Sequence, residues 1–290
     1  MKSIVTIFLF LVSITLAAQQ DFQGKAVYQS KTTVDMDNFG NGRIPEDRKK
    51  EIMERMRSML EKTFVLDFNA SASIYKEEEK LEMPGGPSGG WGMRIGGMAG
   101  TGTLYKNIKE AEMIEATEFF GKNFLIDEQL EKPEWELSGE TKQIGNYTCF
   151  KATLLKKTNA FDFAAMRRRN TDENTDKTKD TANTKKVTDE IEMPKEILVT
   201  AWYTPQIPVS NGPAEYWGLP GLILEINAAR TTILCSEITL NPKEKIEIKA
   251  PDKGKEVTRE EYDEIVKKKM EEMREMYRGR RGDGGWRRSN

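Results

Sequence analysis

Alternating apolar and polar residues give the first pattern along this chain, over residues 23–34. Ala26, Tyr28 and Val34 fall on one face of an extended chain, while Gln29 and Lys31 fall on the other. Successive side chains of a strand point to opposite faces, so this alternation predicts the first β-strand.

A stronger alternation covers residues 64–74. From residue 67 on, polar residues at odd positions alternate with apolar residues at even positions, and the apolar set is Phe64, Leu66, Phe68, Ala70, Ala72 and Ile74. One buried face and one solvated face are typical of an antiparallel sheet. We therefore expect one long strand over this stretch.

Seven shorter stretches also predict strands, because apolar, β-branched and aromatic residues fill them and turn residues lie between them. These stretches are residues 103–108, 123–127, 135–138, 147–155, 197–203, 222–226 and 231–240. Strands in close succession favour an antiparallel meander over alternating strands and helices.

Two helices interrupt this succession of strands. Pro45 begins the first helix, and one apolar stripe follows it, made of Ile52, Met53, Met56, Met59 and Leu60. A stripe at this spacing is typical of a helix that packs one face on a core.

The second predicted helix has a clear N-terminal signal. Thr258 stands at the N-cap and Glu261 three residues later, which is the pattern of a capping box. Val257 is placed to contact Tyr262 as a hydrophobic staple. We expect the helix to end before Gly279, since glycine is common just after a helix C-terminus.

These elements predict a mainly β (α+β) fold. We expect a curved antiparallel sheet or half-open barrel, with one helix after the first strand and one C-terminal helix. A single domain over residues 19–278 would carry flexible insertions at 83–102 and 165–190, where Gly or charged residues dominate. Residues 279–290 form an Arg/Gly tail predicted to be disordered, either solubilising or attracted to an anionic surface.

The first residues predict a cleavable export signal over residues 1–18. Lys2 supplies the positive charge, residues 4–16 are almost entirely apolar, and Ala17 and Ala18 are small. The apolar run is too short for a permanent membrane helix, and no cysteine follows it to carry a lipid. We expect a periplasmic or secreted protein that does not span a membrane after cleavage.

The amino-acid composition argues against several classes of partner and catalytic site. The chain has 45 basic and 47 acidic residues, a balance that argues against nucleic acid as a partner. It has no histidine, which excludes Ser-His and Cys-His catalysis and imidazole metal sites. Cys149 and Cys235 lie in apolar stretches, and the sequence leaves open whether they pair or pack as thiols.

Methionines recur at three-residue spacing in both predicted helices. Thioethers are ligands suited to Cu(I), and an exported protein meets copper. The same spacing also places methionines on one helix face as core-filling residues, which is the more common use. The candidate metal residues are Met53, Met56 and Met59 in the first helix and Met270, Met273 and Met276 in the second.

One segment has a distinctive composition. It reads Ala-Trp-Tyr-Thr-Pro at 201–205, Ile-Pro-Val-Ser-Asn-Gly-Pro at 207–213 and Tyr-Trp-Gly-Leu-Pro-Gly-Leu-Ile-Leu-Glu at 216–225. With residues 144–152 and 73–76, it resembles the GLPGLI family of exported Bacteroidetes proteins of unknown function. The resemblance implies an exported β-rich protein, and it gives no reaction and no catalytic residues to carry over. We expect no cofactor.

The aromatic and turn residues of this segment have two interpretations. They either fold back over the sheet as a structural lid or line a cleft for a sugar, lipid or peptide. In the second interpretation the ligand-binding residues are Trp202, Tyr203, Ser210, Asn211, Tyr216 and Trp217. Glu215 and Glu225 are the one carboxylate pair that suggests glycoside hydrolysis.

Three functions remain open from the sequence. The favoured hypothesis is a non-catalytic envelope protein that binds an apolar ligand or an outer-membrane partner, and a lipid or a glycan is the candidate ligand. The first alternative is periplasmic Cu(I) handling through the methionines. The second is a hydrolase that uses carboxylates alone.

Overall fold

A computed structural model of the chain describes residues 22–34, 45–78, 102–157 and 196–282. The predicted export signal and the predicted insertion at 165–190 lie outside the described residues, as do residues 83–101 of the other insertion and 283–290 of the tail.

The described chain forms twelve strands and two helices. The first half contains β1 Gln23–Thr32, α1 Glu46–Leu60, β2 Glu61–Asn69, β3 Ala72–Glu77, β4 Thr103–Asn107, β5 Glu112–Phe119 and β6 Lys122–Gln129. The second half contains β7 Glu136–Ile144, β8 Tyr147–Lys157, β9 Glu196–Thr204, β10 Leu222–Ala228, β11 Thr231–Leu240, β12 Lys255–Val257 and α2 Arg259–Gly282.

All strands belong to one open sheet with the order β12-β6-β5-β4-β3-β2-β1-β11-β10-β9-β8-β7. Neighbouring strands are antiparallel, apart from β12, which runs parallel to β6. The predicted mainly β fold, with a helix after the first strand and a C-terminal helix, is confirmed. The sheet is open and does not close into a barrel.

The strand register separates two faces of the sheet. Ala26 lies opposite Leu66, and Leu66 lies opposite Tyr75, so these three buried side chains share one face. We call this the inner face. The loop between β9 and β10 and the start of α2 both pack on it, and most of the apolar core lies there.

The stretch predicted as one strand over residues 64–74 is a hairpin, so that prediction is wrong. The Asn69 side chain accepts hydrogen bonds from the backbone N–H of Ser71 at 2.9 Å and of Ala72 at 2.7 Å. An asparagine that bonds the backbone two residues on makes a turn, and the chain reverses between β2 and β3. Alternation across Ala70 and Ser71 therefore continues by chance.

Two strands were not predicted from the sequence. β5 contains three glutamates, which strands disfavour, and β12 has too few residues for a pattern. Both strands form because β6 provides a neighbour for each of them. Pairing with a neighbour thus overrides weak local preference.

The N-terminal signal of α2 is confirmed. The Glu261 N–H donates to Thr258 Oγ1 at 3.2 Å, and the Thr258 N–H donates to Glu261 Oε2 at 3.1 Å. Val257 and Tyr262 pack in one small cluster with Phe119, Phe124 and Ile126. This cluster fastens the start of α2 to β5 and β6.

The predicted end of α2 is wrong, because the helix continues through Gly279 to Gly282. A glycine costs about 1 kcal/mol in a helix interior, which is too little to end a helix by itself. In the described part of the chain, neither helix is long and apolar enough to cross a membrane.

Candidate ligand-binding cleft

The loop of residues 205–221 joins β9 to β10 and covers the inner face, and we call it the covering loop. Its backbone is tied to the start of β10, because Leu222 N–H donates to the Ile207 carbonyl and Ile223 N–H to the Asn211 carbonyl, both at 3.0 Å. Three of its apolar side chains are buried in the main core, namely Ile207, Val209 and Leu219. The covering loop is therefore part of the folded core.

Two glycines of the Gly-Leu-Pro-Gly motif let the covering loop turn. A Cβ atom added at Gly221 would lie 2.2 Å from the Thr204 carbonyl oxygen, so only glycine fits there. Gly218 has a φ of 93°, which favours glycine over other residues. The motif thus has a backbone role that explains its composition.

Lys106 of β4 anchors the covering loop to the inner face of the sheet. Its fully buried Nζ donates to the carbonyl oxygens of Gly212 at 2.8 Å, Ala214 at 2.7 Å and Tyr216 at 3.3 Å. Burial lowers the pKa of Lys106 to about 7, and the nearby Glu215 carboxylate opposes that shift. One side chain thus satisfies three carbonyl groups of the covering loop.

A second polar contact lies beside this anchor. Asn211 Oδ1 accepts hydrogen bonds from Ser73 Oγ at 3.1 Å and from the Gly212 N–H at 2.9 Å. Among the described residues, the Asn211 Nδ2 amide and the Tyr75 hydroxyl are buried without a hydrogen-bond partner. Each buried polar group without a partner lowers the free energy of unfolding by about 1–3 kcal/mol. The polar interior between the covering loop and the sheet therefore reduces stability.

A cleft opens where the covering loop meets the chain just before and within β7. Its volume is about 530 Å³, and its lining includes Lys132, Pro133, Trp135, Leu137, Pro208, Ser210 and residues 218–221. The Trp135 indole N–H donates to the Trp217 carbonyl at 2.8 Å, and its ring packs at a tilt against Tyr216. This contact joins the two walls of the cleft.

The six predicted ligand-binding residues do not lie together. Ser210 lines the cleft, and the buried Tyr216 and Trp217 lie behind its Trp135 wall. The side chains of Tyr203 and Asn211 are buried in the interior. The residues that line the cleft beside Ser210 are mostly prolines, glycines and leucines, together with Trp135.

Trp202 lies on the outer face of the sheet, because it alternates with Tyr203 along β9. The Lys142 ammonium lies 4.6 Å from the centre of its ring and 2.5 Å from Glu225 Oε2. Asn227 Nδ2 donates to Glu225 Oε1 at 2.7 Å. The predicted ligand contact at Trp202 is thus separated from the cleft by the sheet.

The two carboxylates considered for hydrolysis also lie on opposite faces. Glu215 belongs to the covering loop on the inner face and forms an ion pair with Lys156 at 2.5 Å. Glu225 forms its ion pair with Lys142 on the outer face. The structure does not bring them together around one substrate.

The methionine triads lie on separate helices, with α1 against β1 and β2 and α2 against β6. Met53 and Met56 are at least partly exposed, and the Met59 side chain lies outside the described residues. Met270 and Met273 are half-buried, and Met276 is 69% exposed. No group of three His, Cys, Asp or Glu residues in the described ranges fits a metal ion, and copper binding by methionine stays a prediction.

Cys149 and Cys235 are buried free thiols. Burial raises the pKa of Cys149 to about 11 and that of Cys235 to about 12. A thiol with a raised pKa is a poor nucleophile, so both cysteines serve as small core residues here.

Comparison with known proteins adds a family match. Residues 135–225 match a family described as "Protein of unknown function (Porph_ging)". The matched span begins at Trp135 and includes the covering loop, so it holds almost the whole cleft lining. It supports the resemblance to an uncharacterised family, and its description gives no activity.

No curated protein matches the chain. Among solved structures, PNGF-II in space groups C2 and P21 is similar at 13% identity, with TM-scores of 0.44 and 0.45. These matches cover 84% and 85% of this chain and 32% and 33% of PNGF-II, so the chain spans about a third of that protein's length.

Proposed function

We propose that this chain is a non-catalytic binding protein of the cell envelope, and that the cleft beside the covering loop holds an apolar ligand. The cleft is the observation that carries this proposal. Its volume of about 530 Å³ lies within the range of small-molecule sites in proteins.

The lining of the cleft suits an apolar group. Pro133, Leu137, Pro208, Leu219 and Pro220 supply apolar surface, and Trp135 adds an aromatic wall. Polar atoms contribute nearly as much of this surface as apolar atoms do, and Ser210 and Lys132 are among the residues that supply them. The apolar part of a ligand would lie against the prolines, the leucines and Trp135, and the polar groups would orient it.

The walls of the cleft are fixed before any ligand arrives. Lys106 holds the covering loop from the inner face, and Trp135 holds it from the side. Prolines at 208 and 220 further limit backbone motion. A preorganised site loses little conformational entropy on binding, which favours affinity.

The envelope location rests on the predicted export signal at residues 1–18 and on the family resemblance. In that compartment the ligand would be a lipid, a glycolipid or the apolar side chain of an outer-membrane partner. Each of these presents an apolar group.

Dye binding tests the site directly. Nile red, an uncharged apolar dye, should bind the purified protein saturably, and Leu137→Asp should weaken its binding at least about tenfold. Leu137 lines the cleft and is 63% exposed, so this change removes apolar contact and adds a charge without disturbing the core.

Leu198→Asp is the matched control. Leu198 is 58% exposed on the outer face, and its loss should leave dye affinity unchanged. Equal effects of the two variants would reject the cleft as the site.

Native mass spectrometry of protein from the host envelope then identifies the ligand, and a photocrosslinker at residue 137 captures a protein partner.

A further inference from the structure

The two parts of α2 differ in what they contact. Tyr262, Ile265 and Val266 pack against β5 and β6 in the small cluster that holds the helix start. The remaining residues, 267–282, we call the distal part of α2. Its described side chains are half-buried or exposed, and Met276 is 69% exposed.

The apolar face of α2 continues into the distal part. Steps of three and four residues return to the same helix face, and such steps connect Tyr262, Val266, Met270, Met273 and Met276. Lys269 falls on this face too, where it forms an ion pair with Glu272 at 2.6 Å. The first two of these residues are covered by the sheet. The three methionines extend the same stripe beyond the contacts of the small cluster.

The charge of α2 changes sign along the helix. Residues 259–266 carry four acidic residues against one arginine, whereas the distal part carries seven Lys or Arg against three Glu. In the sequence, Lys267, Arg274, Arg278 and Arg281 are separated by seven, four and three residues, a spacing that returns to one side of a helix. The distal part thus joins a methionine stripe to a basic flank.

We propose that the distal part of α2 binds an anionic lipid surface, with the methionine stripe in the interface and the basic flank against the headgroups. Helices that lie in a membrane interface combine an apolar stripe with Lys and Arg. A nucleic acid backbone would satisfy the charge and leave the methionines without a partner.

A second copy of the chain fits this surface less well. The apolar face of residues 259–266 is already covered by the sheet, so two copies would meet through their distal parts. Both distal parts carry a net positive charge, and like charges at an interface are unfavourable.

Vesicle co-sedimentation of the full mature protein tests the proposal. The protein should bind phosphatidylglycerol vesicles and not vesicles of phosphatidylcholine alone. Raising the salt from about 0.1 M to about 1 M should release it, because screening shortens the reach of surface charges to about 3 Å.

Two variants separate the charge from the methionine stripe. Lys267→Gln with Arg274→Gln should weaken vesicle binding about 25-fold, at about fivefold for each basic residue. Met276→Gln should weaken it about tenfold by removing an apolar side chain from the interface. Lys25→Gln with Lys243→Gln removes the same charge from exposed positions away from α2 and should have little effect.

Several results would overturn the proposal. Equal binding to both kinds of vesicle, equal loss in the control variant, or unchanged binding in both α2 variants would each do so. A dimer in light scattering that Met276→Gln dissociates, without vesicle binding, would instead assign the surface to a second copy. Dye binding in the cleft is independent of all these outcomes.

Discussion

The covering loop and α2 both close the inner face of the sheet, yet they are held there in different ways. The loop is fastened along its whole length, by Ile207, Val209 and Leu219 in the main core and by the buried Lys106. α2 is fastened at its start, by a small aromatic cluster and by Arg259.

Because of this difference, we expect the cleft beside the covering loop to be rigid and the distal part of α2 to be more adaptable. The cleft borders the loop whose backbone is fixed at several points, so its shape is preorganised. The distal part of α2 continues past its attachment, with Met270 and Met273 half-buried and Met276 exposed, and it is the surface proposed above for lipid. Variants that loosen one attachment should therefore leave the other unchanged.

The largest effect is expected from Lys106→Met. The change leaves the carbonyls of Gly212, Ala214 and Tyr216 buried without their donor, and it should lower the free energy of unfolding by about 3 kcal/mol or more. Urea denaturation measures this loss. Hydrogen exchange should accelerate in the covering loop and not in α2.

Lys25→Met is the matched control, because Lys25 is exposed on the sheet. It should keep the wild-type denaturation midpoint. A Lys106→Met protein with wild-type stability and wild-type exchange in the loop would show that packing alone holds the loop.

The second prediction concerns pH. The unfolded chain keeps the Lys106 proton up to its ordinary pKa of 10.5, whereas the folded protein releases it near a pKa of about 7. Between pH values of about 7 and 10.5, the unfolded state therefore binds more protons at Lys106 than the folded state does. The contribution of Lys106 to the free energy of unfolding thus rises with pH over this range.

The difference in unfolding free energy between wild type and Lys106→Met isolates this effect, since other titrating groups such as Cys149 are common to both proteins. Urea denaturation at several pH values between about 7 and 10 should show the difference growing with pH. A constant or shrinking difference would contradict the lowered pKa of Lys106.

A smaller effect is expected from Arg259→Gln in the attachment of α2. Arg259 Nη2 lies 2.7 Å from both Glu115 and Glu128, and all three side chains are mostly buried. Its loss leaves two carboxylates without their shared partner and should cost about 2 kcal/mol. Exchange should accelerate in α2, while the covering loop stays protected.

Arg259→Lys should retain part of this stability. A lysine keeps the charge but lacks the planar fork that reaches two carboxylates at once. If Arg259→Gln accelerated exchange in the covering loop as much as in α2, the two attachments would not be independent.

Local patterns allowed much of this fold to be predicted. The capping box of Thr258 and Glu261 and the apolar alternation of β1 and β11 depend on neighbours in sequence, and the structure confirms them. The hairpin at Asn69 was missed because its turn interrupts no apolar alternation. Short-range signals thus predicted the elements better than their boundaries.

The site depends on distant residues, which explains why less of it was predicted. Lys106 is 106 residues from Gly212 and Trp135 is 82 residues from Trp217, and no local pattern marks either contact. The aromatic segment was recognised as important, and its rings serve mainly the core. The part of the cleft wall that precedes β7 is marked in the sequence only by Pro133 and Trp135.

The smallest effect is expected from Trp135→Phe, which tests whether the cleft shares the rigidity of the covering loop. Phenylalanine keeps a ring against Tyr216 and loses the hydrogen bond to the Trp217 carbonyl, a loss of about 1 kcal/mol in unfolding free energy. Nile red affinity should fall severalfold, because one wall of the cleft is no longer tied to the other. Trp202→Phe on the outer face should leave dye affinity unchanged. If Trp135→Phe lost stability and kept full dye affinity, the shape of the cleft would depend on the anchoring of the loop by Lys106 and not on this link between its walls.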